Sequence, residues 1–236
     1  MQLSVVIPAF NEGHRILSTI DRVAKFCERE LSQWEIIVID DGSIDDTSSV
    51  VSKVARVRLL RNERNRGKGY SVRRGMLEAR LDPVLVSDAD LSTPIEEALQ
   101  LLAALDAGAQ VAIASRIPSQ TKIVRRTPGR KLMAMVFRML VKVIVLRGFH
   151  DTQCGFKMFR LTAAQEIFPH QRLERWGFDV EVLYLARRLG FQVVEVPVTW
   201  HESTESRLKW TTPLTMLGDL FTIRWNDLLG RYPRRK

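Results

Sequence analysis

Short runs of β-branched and aliphatic residues alternate, in the first half of the chain, with stretches whose apolar positions recur every three or four residues. Residues 3–8 form the first short β-branched run, and 35–40 hold the second, centred on Ile36-Ile37-Val38-Ile39. Similar runs predict strands at 57–60, 84–87 and 109–114. Ile16, Leu17, Ile20, Val23 and Ala24 give residues 13–30 helical spacing, and the same spacing predicts helices over 46–54, 69–80 and 95–106. Strands that are apolar throughout are buried on both faces, so this order predicts an α/β fold: a doubly wound, mostly parallel sheet flanked by helices. The second half is less regular. Helices are expected over 131–146, 178–189 and 212–229, the last with Pro213 in its first turn, and strands over 156–159 and 192–196.

Polar clusters follow three of these strands: Pro8-Ala9-Phe10-Asn11-Glu12, Asp40-Asp41-Gly42-Ser43 and Ser87-Asp88-Ala89-Asp90. An acidic turn after a strand can serve only as a helix cap. Three of them at successive strand ends converge instead on one crevice, where doubly wound sheets seat their ligands. Asp88 and Asp90, one residue apart beyond a buried strand, can both reach one divalent cation. Mg2+ and Mn2+ favour such carboxylates and share their remaining positions with water and phosphate oxygens. That chemistry suits a nucleotide diphosphate as leaving group.

Two further motifs are open to two readings. Arg66-Gly67-Lys68-Gly69-Tyr70 opens a predicted helix, so its amides and the Lys68 ammonium can approach a phosphate, or it is a plain helix entry with a solvated lysine. It lacks P-loop spacing. In Asp151-Thr152-Gln153-Cys154-Gly155-Phe156-Lys157, Gly155 either permits a tight turn or makes a floor for a ligand. Cys154 is expected to be a small buried residue rather than a nucleophile.

In this order, residues 8–12, 40–43, 65–69, 88–90 and 151–157 resemble glycosyltransferase family 2, and more narrowly its dolichyl- and polyprenyl-phosphate sugar synthases. The likeness runs from about residue 3 to about residue 209. It implies a GT-A type fold, a Mg2+ or Mn2+ cofactor and inverting transfer from a nucleotide-diphosphate sugar to a lipid phosphate. On the matching positions, Pro8, Phe10, Glu12, Asp40 and Asp41 would contact base and ribose. Lys68, Asp88, Ala89 and Asp90 would hold the sugar diphosphate, with Asp88 and Asp90 binding the metal. Asp90, Asp151 and Arg116 are the catalytic candidates. Mannosyltransferase relatives often carry a metal-binding glutamine where this chain has Ser92, which leaves a third ligand open and favours the glucosyltransferase branch. The segment Trp176-Gly177-Phe178-Asp179-Val180-Glu181 resembles that branch as well.

Charge adds the acceptor. The chain has 36 basic and 27 acidic residues, a net +9, and residues 116–147 hold nine basic residues and no acidic one. A lipid phosphate is already anionic near neutrality and needs no strong base. It needs cations to offset repulsion from the donor, and Arg116, Arg130, Arg207 and Lys209 are the candidates; arginine pairs bidentately with phosphate. Arg125, Arg126, Arg130, Lys131, Arg138 and Lys142 are interleaved with aliphatic residues, a pattern for a helix lying in an anionic membrane surface. A core helix with exposed cations is the plainer alternative. Nucleic acid is not the expected partner, because residues 116–147 contain Phe137 as their one aromatic for base stacking.

These features set the expectations. Residues 1–209 form a GT-A glycosyltransferase catalytic domain, with 116–147 facing acceptor and membrane. Residues 210–236 form an amphipathic basic helix and tail. No transmembrane span, signal peptide or disulfide framework is read from the sequence, so the protein is expected to be cytoplasmic. It would sit on the cytosolic face of a membrane, held there peripherally or by a membrane-protein partner. The expected reaction moves glucose from UDP-glucose to dolichyl or polyprenyl phosphate. GDP-mannose is the rival donor, and a non-catalytic module binding a nucleotide sugar or a membrane is the alternative of another class.

Overall fold

The computed structural model describes residues 1–116, 128–201 and 212–234. Seven strands, β1 (Gln2–Ala9), β2 (Gln33–Asp40), β3 (Val57–Arg61), β4 (Val84–Val86), β5 (Val111–Ser115), β6 (Lys157–Phe159) and β7 (Val193–Pro197), form one sheet in the order β3-β2-β1-β4-β6-β5-β7. Helices α1 (Ile16–Glu30), α2 (Thr47–Val51), α3 (Lys68–Glu78), α4 (Ala98–Asp106), α5 (Pro128–Ile144), α6 (Leu161–Ile167), α7 (Phe178–Arg188) and α8 (Thr212–Leu228) flank it.

Strand alternation divides the core in two. Val5, Ile7, Ile36, Val38 and Leu85 pack with Val23, Phe26, Leu101 and Leu105 on one face. Val6, Ile37, Ile39, Val84 and Val86 pack with Val72, Met76, Ile167, Leu183 and Leu220 on the other. Both faces are therefore covered, as continuous apolar strands require.

Two features depart from the sequence pattern. β6 runs antiparallel to both β4 and β5, whereas the remaining pairings are parallel. The chain leaves the sheet at the carboxyl end of β5 and re-enters at that same end, so β6 must run in the opposite sense. This return carries residues 151–157 to the edge where β1, β2 and β4 also end. α6 was not predicted, because Ala163, Ala164 and Ile167 supply only one helical step of burial, too short for a period to show.

The C-terminal segment is tied into the second core. Leu220, Ile223 and Tyr232 are buried there. The Tyr232 hydroxyl donates to Glu181 Oε1 at 2.6 Å, while the backbone N–H groups of Arg172 and Leu173 donate to the same carboxylate. Tyr232→Phe removes a donor from a buried acceptor, and a loss of about 1–2 kcal/mol is expected in urea unfolding at neutral pH. An unchanged midpoint would mean that this link contributes nothing to stability.

Candidate functional site

The first two strand ends are knitted together before any ligand is considered. Asn11, at φ 52°, donates its N–H to Ser43 Oγ (2.8 Å), and its side-chain oxygen accepts from Ile44 N (2.9 Å). Glu12 N donates to Thr47 Oγ1 at 2.8 Å, and the Glu12 carboxylate pairs with Arg15. Pro8 and Phe10 stay partly exposed on this edge.

The two adjacent aspartates divide their work. Asp41 accepts from Asn62 Nδ2 (2.7 Å), Arg66 N (3.0 Å) and Gly67 N (2.8 Å), so its carboxylate shapes the loop leading into α3. Asp40 is fully buried. One oxygen accepts from Ser43 N at 2.9 Å; the other makes no hydrogen bond and lies 3.5 Å from Arg61 Nε. A buried carboxylate oxygen without a donor is costly unless something else supplies one, which makes Asp40 the stronger candidate of the two for a ligand contact.

Lys68 opens α3 and faces the third cluster. Gly67, at φ +110°, makes the entry, and a Cβ there would come within 2.5 Å of the Glu174 carbonyl oxygen. The Lys68 ammonium sits 2.5 Å from Asp88 Oδ1 and 5.7 Å from the centroid of the Trp176 ring. Burial alone would lower the Lys68 pKa, but Asp88, Asp179 and Asp90 more than reverse this and hold it above its ordinary value. Lys68 is therefore a fixed cation at neutral pH, not the solvated lysine of a plain helix entry.

Asp88 rests directly on the returning segment. A Cβ on Gly155 would lie 2.6 Å from Asp88 Cγ and 2.7 Å from Oδ1, so this contact requires glycine. Asp90 Oδ1 accepts from Ser92 N at 3.0 Å, which turns the chain through Leu91 at φ 47°. Ala89 packs its side chain into the core, and its carbonyl oxygen accepts from Thr19 Oγ1 at 2.6 Å. Among the described residues, no three His, Cys, Asp or Glu side chains gather as a metal site. A hard divalent cation held by Asp88 and Asp90 would thus complete its shell with water or ligand oxygens, as Mg2+ and Mn2+ commonly do. The two carboxylates fit such an ion.

Arg116 and Asp151 are brought together in a way that neither motif announces. Arg116 Nε donates to Asp151 Oδ2 (2.6 Å) and Nη2 to Oδ1 (2.8 Å), a bidentate pair reinforced by Arg116 N at 3.1 Å. The guanidinium lies 5.4 Å from the Trp200 ring centroid. Burial would raise the Asp151 pKa, but the facing guanidinium outweighs it and holds the carboxyl below its usual range. Asp151 is accordingly a poor proton acceptor, and much of the Arg116 fork is already engaged. Of the other acceptor candidates, Arg130 falls in the first turn of α5 with its side chain outside the described structure. Arg207 and Lys209 lie outside the described residues, as do Arg125 and Arg126.

Three supporting residues, Glu195, Lys157 and Asp179, received no role from the sequence. Glu195 on β7 accepts from Asp151 N (2.8 Å) and His150 N (2.9 Å) and so holds the segment bearing Asp151. Its only signal was a lone charge in Val193-Val194-Glu195-Val196. Lys157 pairs with Asp179 in the interior and donates to the Cys154 carbonyl oxygen at 2.6 Å, bracing the floor under Gly155. Cys154 itself is buried, with its thiol pKa pushed up by burial, in keeping with a structural role.

The arrangement sets a buried carboxylate oxygen at Asp40, a cation at Lys68 and two carboxylates at Asp88 and Asp90 along one edge, groups that can engage a divalent cation and a phosphate. Residues 4–168 match Glycosyl transferase family 2. The chain is 38% identical over 234 residues to a dolichyl-phosphate beta-glucosyltransferase of Trichomonas vaginalis, covering 92% of this chain and 69% of that protein. It is 36% identical to the dolichyl-phosphate beta-glucosyltransferase of Dictyostelium discoideum, covering 97% and 75%. Among solved structures, glucosyl-3-phosphoglycerate synthase from Mycobacterium tuberculosis in complex with Mn2+, UDP-glucose and phosphoglyceric acid matches with a TM-score of 0.73 at 20% identity, covering 94% of this chain and 79% of that one. That last likeness is one of fold.

Proposed function

This chain belongs to glycosyl transferase family 2 and has a GT-A type fold, and from that premise we propose that it transfers glucose from UDP-glucose to dolichyl or another polyprenyl phosphate, with inversion, at the cytosolic face of a membrane. That it is a glycosyltransferase follows from its family; the donor, acceptor and location are the proposal. The observation that carries it is the Asp88 carboxylate, held between Lys68 and the bare face of Gly155 with Asp90 beside it. The names of the two relatives support glucose and dolichyl phosphate, and the Mn2+ and UDP-glucose of the structural neighbour support the donor class.

In this reading, Pro8, Phe10, Glu12 and Asp40 receive base and ribose, and Asp41 acts by shaping the loop that presents Lys68. Lys68 offsets the charge of the donor phosphates. A magnesium or manganese ion held by Asp88 and Asp90 would stabilise the departing nucleotide diphosphate. The acceptor phosphate attacks as an anion, so the lowered pKa of Asp151 is no obstacle. The Arg116–Asp151 pair instead keeps the wall of the site rigid and nearly neutral, and Arg130, Arg207 and Lys209 are assigned to the acceptor phosphate. Catalysis is assigned to residues 1–209.

The test is a donor screen. Purified protein is incubated with a polyprenyl phosphate, Mg2+ or Mn2+, and UDP-glucose or GDP-mannose. Lipid-linked glucose is expected from UDP-glucose, and chelation should stop its formation. A preference for GDP-mannose would reassign the donor, and no lipid-linked sugar from any nucleotide sugar would sink the proposal.

A further inference from the structure

We propose that the outer faces of α5 and α8 together form a docking surface for a bilayer leaflet containing anionic phospholipid. On α5, Met135, Met139 and Val143 recur at helical spacing and are exposed, Met139 to 67%. On α8, Phe221, Trp225 and Leu228 do the same, with Leu229 beyond the helix end; Trp225 is 61% exposed. The opposite faces are buried: Val141 on α5, and Met216, Leu220 and Ile223 on α8. The two helices pack against each other, so their outward stripes belong to one surface. Exposed apolar side chains gathered on one surface, rather than scattered singly, mark an interaction surface.

Charge selects the occupant. α5 contains no acidic residue, and Arg138 and Lys142 are exposed on it. Both acids of α8 turn inward. Asp227 Oδ1 lies 2.5 Å from Arg188 Nη1, and Asp219 accepts the N–H of Gly177, where a Cβ would meet its Cγ at 2.7 Å. Arg231 and Arg234 are exposed just beyond α8. The described surface is thus apolar and cationic with no exposed carboxylate on either helix. A second copy of the chain would set like charges against each other, whereas an anionic leaflet complements them. Tryptophan and phenylalanine favour the headgroup boundary, and lysine and arginine can extend toward phosphate while their stems stay apolar. No helix among the described residues is long and apolar enough to cross a membrane, so this surface would lie on the leaflet.

The surface also connects to the site. Asp219 anchors α8 at Gly177, next to Trp176, whose ring faces Lys68. Docking would hold the donor seat beside the leaflet from which a lipid phosphate is presented. This part of the inference rests on the proposed acceptor.

The experiment measures co-sedimentation of the full chain with phosphatidylcholine vesicles, with and without 30% phosphatidylglycerol. It compares the wild type with Phe221→Ser/Trp225→Ser and with Arg138→Gln/Lys142→Gln. Wild type should bind the anionic vesicles with a blue-shifted tryptophan emission. The first double variant should bind about tenfold more weakly at any salt, and the second should weaken mainly at low salt. Thermal melts confirm that both fold, as expected for exposed sites. Glucose transfer to a water-soluble short-chain prenyl phosphate should persist in the first variant, while transfer to vesicle-embedded polyprenyl phosphate falls. Wild-type failure to bind, undiminished binding by the Phe221/Trp225 variant, or a dimer that this variant dissociates would overturn the proposal. If vesicle binding responds as expected but no prenyl phosphate is glycosylated, the acceptor reading fails and the docking surface stands.

Discussion

Gly155→Ala is expected to lower the rate of sugar transfer by about a hundredfold while leaving the protein folded, because displacement of a reacting group by about 1 Å has that effect on catalysis. The added Cβ would stand 2.6 Å from Asp88 Cγ, inside any normal contact. Asp88 has no easy retreat. Its Oδ1 is already 2.5 Å from the Lys68 ammonium, and Lys68 is positioned by a glycine whose own approach to Glu174 admits no side chain. The floor cannot drop either, since the Lys157–Asp179 pair and the Cys154 carbonyl brace it from within. The strain therefore falls on the carboxylate that would hold the metal. The check is a comparison of kcat and KM for UDP-glucose, with a melting curve for each protein. Asp88→Asn serves as reference and should lose at least as much activity. A Gly155→Ala enzyme that keeps more than half the wild-type rate would show that the seat of Asp88 is not critical.

The second large effect is on stability. Arg116→Met should destabilise the protein by about 3–5 kcal/mol, because it leaves the Asp151 carboxylate buried without its partner. Both side chains are well shielded, at 20% and 9% exposure, so solvent screening reduces this little. Asp151→Asn should also destabilise, and the double variant should cost less than the sum of the two. The pH dependence has a definite sign. The folded-state pKa of Asp151 is depressed from 3.8 because the adjacent guanidinium outweighs burial. Its contribution is therefore complete above the unfolded value and disappears as pH falls through the lower folded value. The gap in unfolding free energy between wild type and Asp151→Asn should be flat from about pH 8 to about pH 5 and shrink below about pH 4. A gap that widens with acidity would contradict the ion pair. Urea titrations at several pH values decide the matter.

Much of the molecule was legible before its coordinates. The strands of the first half were recognisable because each is a short, mostly aliphatic run, and they lie within a residue or two of their expected bounds. Asp88, Asp90, Lys68 and Gly155 stood out because each belongs to a short local motif. What escaped depends on residues distant in sequence. Arg116 and Asp151 were each singled out for catalysis, but nothing in a linear chain shows that they bind each other. Glu195 carries no motif at all, and its role exists only because β7 lies beside β5. Asp40 and Asp41 were indistinguishable as neighbours; only the folded loop at Asn62–Gly67 engages one and leaves an oxygen of the other without a donor.

The sequence by itself determined the alternation of strands and helices, the polar strand ends, the D-x-D pair and the local excess of positive charge. These are properties of residue type and short-range spacing, and the backbone period translates them directly. The tertiary structure decided the rest. It turned β6 antiparallel, so that residues 151–157 became the floor beneath Asp88. It cancelled Arg116 against Asp151, and it turned both acids of α8 inward, leaving an apolar and cationic outer face. Each of these outcomes depends on which side chains meet across the fold and how fully water is excluded around them, and neither quantity is encoded in any one segment.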